Sequence, residues 1–360
     1  MGAEPIRVAT RTSELAMAQT MSIVERLETR GYKVEVLECE TRGDRIRDEL
    51  IHRLGRTGAF VRSLDERVIA EEADIAIHSL KDMPTEMPAA LIVAAIPERA
   101  DSADLLITPE GQSVDELPEN ARVGTASLRR GAQLQAARPD LEIVPIRGNI
   151  DTRLEKLLSP HVKRRRAAVE AADDEDLSVE QWEAGLTPIE ARSLDRAGET
   201  ELDGIVLAAA GLKRSGLIGQ VETWRLPLAT FVPAPGQGAL ALTMRDTDLA
   251  GELHRYLDHP PSRVEVTVER TILGTVGAGC IAPIGVSASV QGDVIATRAQ
   301  VLAKDGDEVI SRTQELPVES YVNAAVSFAE ELLDEGAGEL IEAATREGSD
   351  SEAMRHDDEE

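Results

Sequence analysis

Positively charged side chains recur directly behind strand-like runs of this chain. Arg11 follows IRVAT, Lys81 follows ADIAIHSL, Arg129 and Arg130 follow GTASL, Arg147 follows EIVPI, and Lys213 and Arg214 follow VLAAAGL. Arg153 comes between one and two helical turns beyond Arg147. In open α/β sheets, ligands bind outside the carboxyl ends of the strands, often against helix N-termini. Two such units facing each other would line one cleft with guanidinium and ammonium groups. That cleft suits a ligand with several carboxylates or phosphates, gripped partly by bidentate arginine pairs. Any single arginine is more simply a surface residue; the recurrence, in a chain of formal net charge −27, is the signal.

One acid directly follows a basic residue at a strand end: Asp82, in HSLKDMP. Among cations it serves as a counter-ion, as a proton shuttle, or as a stabiliser of positive charge that develops during reaction. His78, inside the preceding apolar run, reads as a core or hydrogen-bonding residue rather than a metal ligand. Of the two cysteines, Cys39 ends the apolar run KVEVLEC, whereas Cys280 sits in GAGCIAPIG. Flanking glycines let the backbone bend sharply or approach something closely. Read alone, Cys280 is a small residue in a tight loop, a reactive thiolate, or an attachment point. Walker, dinucleotide-fingerprint and nucleophile-elbow signatures are absent from the sequence, and no Cys/His cluster has metal-ligand spacing.

The elements that must position these residues alternate. IRVAT is a strand, and the next helix opens behind Ser13, a good N-cap, with Glu14 at the positive end of the helix dipole. Leu15, Ala18, Met21 and Val24 are taken as its apolar face. KVEVLEC is the next strand; the polar stretch through GRTGAF reads as a lid, and a helix near 61–72 and the strand ADIAIHS complete a βαβαβ unit. DLLIT, ARVGTAS, LEIVPI and DGIVLAAAG repeat the pattern, with helices starting near Ser127 and Gly148, so both units are expected to have mainly parallel sheets. Residues 159–201 interrupt the second unit; their basic run KRRR, beside AADDED, reads as a solvated surface insertion. Past residue 245, helical ELHRYLD and EVTVERTILGTV precede β-like VSASV, VIATRAQVLA and EVISRTQEL and a last helix near Tyr321, an α+β order with an antiparallel sheet.

At 360 residues, two or three domains are expected. The charge argues against nucleic acid and against an anionic membrane as partners. No apolar run is long enough to span a bilayer, and the N-terminus lacks a signal-peptide pattern, so a cytoplasmic protein is expected. With 66 acidic against 39 basic residues, only 6 of them lysine, the surface suits high salt, where repulsion is screened. The tail EGSDSEAMRHDDEE reads as disordered.

RVATRTSELAMAQ, TRGD, ADIAIHSLKDMP, VGTASLRRGAQL, IRGNIDTRL, VLAAAGLKR, PAPGQGALAL and GAGCIAPIG occur in one order. Together they closely resemble the porphobilinogen deaminase family, also called hydroxymethylbilane synthases, from about residue 6 to about residue 340. The resemblance implies an α/β fold: two doubly wound, periplasmic-binding-protein-like domains (1–98 with 228–244, and 99–227) plus a smaller α+β third domain (245–342), then an acidic tail (343–360). It implies a transferase of tetrapyrrole and heme biosynthesis that joins four porphobilinogens on a dipyrromethane cofactor, itself held by a thioether to Cys280. It also implies Asp82 as the catalytic aspartate, assisting loss of ammonia to an electrophilic azafulvene, stabilising the positive pyrrole and helping remove the α-proton. Lys81, Thr125, Ser127, Arg129 and Arg130 are then cofactor contacts. Arg11, Ser13, Arg147, Arg153 and Arg214 contact substrate and growing chain, and Phe60 stacks on a pyrrole or packs. No metal is needed, and a monomer is implied.

This chain departs from the family pattern in reading GRTGAF, with Thr57 where the family often has lysine, SELA for SPLA, and GAGCIA around the cysteine.

Overall fold

The first sheet of the molecule is assembled from the two ends of a long loop in the sequence. In a computed structural model that describes residues 4–39, 59–172, 178–196, 201–279 and 282–344, the chain divides into two compact units. One comprises 1–102, 232–303 and 309–360; the other comprises 103–231 and 304–308. The expected lid, Cys280, the side chain of Phe60 and residues 345–360 lie outside the described residues.

In the first unit, β1 (Ile6–Arg11), β2 (Val34–Cys39), β3 (Ile75–Ser79) and β4 (Ile92–Ala95) are joined by β10 (Leu240–Met244), in the order β2-β1-β3-β10-β4. β1 runs parallel to β2 and β3, while β10 is antiparallel to β3 and β4, so the sheet is mixed rather than mainly parallel. Side chains alternate along β10. Leu240, Leu242 and Met244 enter a core with Val8, Ile75, Ile23 and Leu27, whereas Ala239 and Ala241 join a second cluster with Leu80, Met83 and Val266. Both faces are thus covered, the condition under which uninterrupted apolar strands form. Of the helices α1 (Glu14–Thr29) and α2 (Ala59–Ile69), α1 starts where expected: the Ser13 hydroxyl accepts from the Ala16 N–H at 3.4 Å. Of its expected apolar face, Leu15, Ala18, Met21 and Val24, Val24 alone is buried. Gln19, Thr20, Ile23, Val24 and Leu27 are buried, and Met21 is 46% exposed. A spacing of three falls about 60° short of a full turn at each step, so Leu15 and Val24 lie about half a turn apart.

The second unit repeats the plan. β5 (Asp104–Ile107), β6 (Arg122–Gly124), β7 (Glu142–Val144), β8 (Gly204–Ala208) and β9 (Thr223–Arg225) lie in the order β7-β6-β8-β5-β9. β6 is parallel to β7 and β8; β5 is antiparallel to β8 and β9. Leu105 and Ile107 enter one core and Leu106 the other. The helices are α3 (Leu128–Ala137), α4 (Ile150–Ala172) and the short α7 (Ala209–Arg214), which follows β8 directly.

The reading of 159–201 as a solvated insertion holds for Arg164, Arg165 and Arg166 of the basic run, which are exposed, and is corrected for the apolar residues. α4 runs through it, and α5 (Val179–Ala184) and α6 (Pro188–Leu194) pack back on α4. Ile189 is fully buried with Leu154, Leu157 and Val162, and Trp182, Leu186 and Leu194 cover them. The basic run is satisfied internally. Arg164 pairs with Glu201, Arg165 with Glu190, Arg166 with Glu183 and Glu170, and Arg165 lies 5.5 Å from the Trp182 ring centre. The composition of the stretch concealed an apolar row spaced for a helix.

The first unit also holds a separate antiparallel sheet in chain order, β11 (Ile284–Gln291), β12 (Val294–Leu302) and β13 (Val309–Pro317). α9 (Pro260–Thr275) and α10 (Tyr321–Asp334) cover it around Ile272, Val286, Ile295 and Phe328. By contrast, Leu253 and Leu257 of α8 (Asp248–Leu257) belong to the core of the first sheet. Glu269 of α9, fully buried, takes both terminal nitrogens of Arg99 at 2.7 and 3.0 Å, and accepts from the backbone N–H groups of Gly236 and Ala288 at 2.7 and 2.9 Å. One carboxylate therefore ties α9, β11 and the PGQG loop together, with all of its bonds charge-assisted.

Candidate functional site

β1 and β3 are neighbouring parallel strands in the register Val8–Ile75, so their carboxyl ends present Arg11 and the turn Leu80–Asp82 at one sheet edge. This turn is a single 3₁₀ turn with Leu80 buried, Lys81 half-buried and Asp82 exposed. Apolar burial of Leu80 fixes the turn, and the two charged residues that follow are thereby held at the edge. The Lys81 ammonium donates to Gln237 Oε1 at 3.4 Å; Gln237 donates to the Ser102 carbonyl at 2.7 Å and accepts, at its own carbonyl, from Arg99 Nε at 2.8 Å. Gly238, at φ +88°, lies where a Cβ would come within 2.5 Å of the Ala100 carbonyl oxygen. Glycine is thus required for the loop to bring Gln237 under Lys81. Ser13 caps α1 at the same edge, and Ser79 exchanges hydrogen bonds with Gln19 at 2.9 and 3.2 Å. His78 is buried and bonded to Asp65 at 2.9 Å and Thr243 at 3.0 Å, a hydrogen-bonding role inside the core.

In the second unit the end of β6 leads through Thr125 to Ser127, which caps α3 with its hydroxyl accepting from the Arg130 N–H at 3.5 Å. Thr125 Oγ1 accepts from the Ser127 N–H at 3.1 Å, so both expected hydroxyl residues are employed in opening the helix. Arg129 and Arg130 are buried and share one buried carboxylate. Arg129 reaches Asp104 Oδ2 at 2.8 Å, and Arg130 reaches Oδ1 through Nη2 at 2.7 Å and Nε at 3.0 Å. Burial pushes the Arg129 guanidinium down from its ordinary value; Asp104 opposes this and Arg130 adds to it. Both guanidinium groups thus stand at the start of α3, where the helix end favours anions.

Arg147 is exposed, and its carbonyl accepts from Lys156 at 3.0 Å. Arg153 donates from Nε to the Gly148 carbonyl at 2.8 Å; burial and then the charge of Arg130 push it down. A desolvated cation next to a second cation suits an anion. Arg214 is pushed down by burial as well, but β8 ends at Ala208, so Lys213 and Arg214 sit on the last turn of α7 rather than at the strand end.

Sequence reading missed two supporting residues. Asp104 was visible as an acid opening an otherwise apolar strand, DLLI, and Gln237 as the one amide between two glycines, Gly236 and Gly238, that both have positive φ. Among the described residues, no group of three or more His, Cys, Asp or Glu side chains is placed to hold a metal ion.

Residues 6–172 and 162–252 match the porphobilinogen deaminase, dipyromethane cofactor binding domain, and residues 263–334 match the porphobilinogen deaminase C-terminal domain. A probable porphobilinogen deaminase of Halobacterium salinarum is 45% identical, over 96% of this chain and all of that protein. The porphobilinogen deaminase of Brevibacillus brevis is 35% identical, over 95% of this chain and 98% of that one. Among solved structures, an ABC-transporter periplasmic substrate-binding protein from Coxiella burnetii is similar at 12% identity and a TM-score of 0.36, over 72% of this chain and 94% of that chain. On two family domains and near-complete relatives, the chain belongs to the porphobilinogen deaminase family.

Proposed function

We propose that this enzyme of tetrapyrrole biosynthesis deaminates four porphobilinogen molecules, with loss of four ammonia, and joins them head to tail on a dipyrromethane primer attached to Cys280, from which water releases hydroxymethylbilane (preuroporphyrinogen). The observation that carries this reading is the turn Leu80–Asp82, which holds a cation and an exposed carboxylate side by side at the carboxyl edge of the first sheet.

The donor set fits a primer rich in carboxylates. Lys81 is braced by Gln237, Arg129 and Arg130 share Asp104, and Thr125 and Ser127 stand at the start of α3. These residues would hold the primer, which supplies a nucleophilic terminal α-carbon. Arg11, Ser13, Arg147, Arg153 and Arg214 take the acetate and propionate groups of incoming porphobilinogen. Asp82 accepts a hydrogen bond from the porphobilinogen pyrrole N–H, so that positive charge appearing on the ring as the aminomethyl nitrogen departs meets a fixed negative charge. It then receives the α-proton that the new carbon–carbon bond displaces. Phe60 keeps both of its assignments, stacking on a pyrrole ring or packing. The three-domain division (1–98 with 228–244, 99–227 and 245–342) is part of this reading, as are a cytoplasmic monomer and a surface adapted to high salt.

Intact mass of the purified chain tests the proposal: an adduct of two linked pyrrole units, mapped to the peptide containing Cys280 and lost in Cys280→Ser together with turnover, is the expected result. An unmodified chain that converts porphobilinogen at full rate sinks it.

A further inference from the structure

Residues 178–196, which interrupt the second α/β unit, make polar contacts with the helix that carries Arg153 at its foot. Asp151 and Glu155, one turn apart on α4, lie about 40° from each other around the helix, whereas Arg153 between them lies about 160–200° away, on the opposite side. The acidic side is gripped by α6 and the residues just after it. Arg192 reaches Asp151 at 3.3 Å and Glu155 at 3.5 Å, and Arg196 reaches Glu155 at 3.0 Å. Beneath these pairs Ile189 is fully buried in the same cluster as Leu154, the residue after Arg153. α6 is itself fixed: a capping box joins Thr187 and Glu190, and Gln220 accepts from the Ile189 N–H at 3.2 Å. On the other side, Arg153 holds the Gly148 carbonyl and Lys156 holds the Arg147 carbonyl, at 2.8 and 3.0 Å. The first two turns of α4 are therefore clamped from behind by the insertion and bonded in front to the loop carrying Arg147.

We propose that the insertion is a positioning brace for substrate binding: the quartet Arg192, Arg196, Asp151 and Glu155 sets the orientation of the first turns of α4, and thereby of Arg153 and the 147–149 loop, toward the carboxylates of porphobilinogen. This rests on the assignment of Arg147 and Arg153 as substrate contacts. Arg192 and Arg196 touch no reacting group and act only through α4. Exposed single ion pairs contribute little, but these four share partners across two elements and are backed by a buried isoleucine, the arrangement in which such pairs count.

The test uses the full-length, cofactor-loaded protein. Arg192→Gln/Arg196→Gln is expected to raise the KM for porphobilinogen about 3- to 10-fold with kcat within about twofold, and to speed amide hydrogen exchange over residues 147–156. Arg164→Gln/Arg166→Gln, which removes pairs from the outer part of the same helix, is expected to leave both constants unchanged. An unchanged KM in the first variant overturns the brace, and so does an equal rise in both. Arg153→Gln separates the causes: if it alone raises KM, the brace has failed, and if neither does, the substrate role of Arg153 has failed with it.

Discussion

The two α/β units share one plan, three parallel strands followed by an antiparallel fourth and an edge strand, yet the carboxylates beside their cations stand in opposite surroundings. In the first, Lys81 leans on a neutral amide, Gln237, and the carboxylate next to it, Asp82, is exposed. In the second, Arg129 and Arg130 lean on a carboxylate, Asp104, that is only 1% exposed. A buried anion locked between guanidinium groups contributes to the fold and has little freedom to exchange protons. An exposed one on a short turn contributes little to the fold and is free to react. The same residue type is thus structural in one sheet and available for chemistry in the other, and burial decides which.

Exchanging the two aspartates for their amides breaks or sustains that contrast. Asp82→Asn is expected to lower turnover by about 10²–10⁴-fold while the denaturation midpoint stays within error of wild type, because an exposed carboxylate is lost with no packing change. Steady-state kinetics beside urea unfolding measures both, and near-native turnover would reduce Asp82 to a counter-ion. Asp104→Asn is expected to do the reverse, costing about 3–5 kcal/mol of stability by leaving two buried guanidinium groups without their anion. If urea unfolding shows less than about 1 kcal/mol, the arginines draw their counter-charge from elsewhere and the contrast fails.

A smaller effect is expected at Gly148, which holds φ +116° and sits where a Cβ would come within 2.5 Å of the Thr152 side chain. Gly148→Ala must strain this backbone, at about 1–3 kcal/mol, and shift the carbonyl that Arg153 grips. The expected readout is a modest loss of stability with a raised KM for porphobilinogen. A rise in KM without any loss of stability would show that the loop is free to adapt.

Much of this arrangement could be read before folding the chain. Strands with uninterrupted apolar runs, such as DLLI and GIVLA, and caps such as Ser13 and Ser127 are local signals and stand where the sequence places them. Long-range pairing was less visible. That β10 enters the first sheet antiparallel between β3 and β4 depends on partners more than a hundred residues away, and no residue of LALTM announces its direction. The face of α1 was read correctly only at Val24, because a spacing of three drifts by about 60° at each step and by half a turn from Leu15 to Val24. In the insertion, charge composition outweighed the spacing of Trp182, Leu186 and Ile189, although the spacing decides burial. The cations of the site were legible by their position behind strands; of Gln237 and Asp104 the sequence shows an unusual residue but not what it supports, which is set by what lies opposite it in space.

The weakest of the expected effects bears on histidine. In the first unit His78 lies against a carboxylate, Asp65, at 2.9 Å, whereas His161 on α4 of the second has two guanidinium groups and two carboxylates around it. Burial first, and then the charges of Arg165 and Arg164, hold His161 below the ordinary imidazole value, against the pull of Glu110 and Glu190. The fold thus prefers the neutral ring, while the unfolded chain takes up its proton near the ordinary value of about 6.5. Stability contributed by the neutral ring is fully present above that value and is lost as the pH falls through it toward the lower folded value. Thermal unfolding at pH 7.5 and 5.5, at one fixed salt concentration, is expected to show a larger drop for wild type than for His161→Gln, since the general loss of carboxylate charge is common to both. Equal drops would mean that the two Glu side chains cancel the arginines, and that the cationic character of the second unit does not extend along α4 as far as His161.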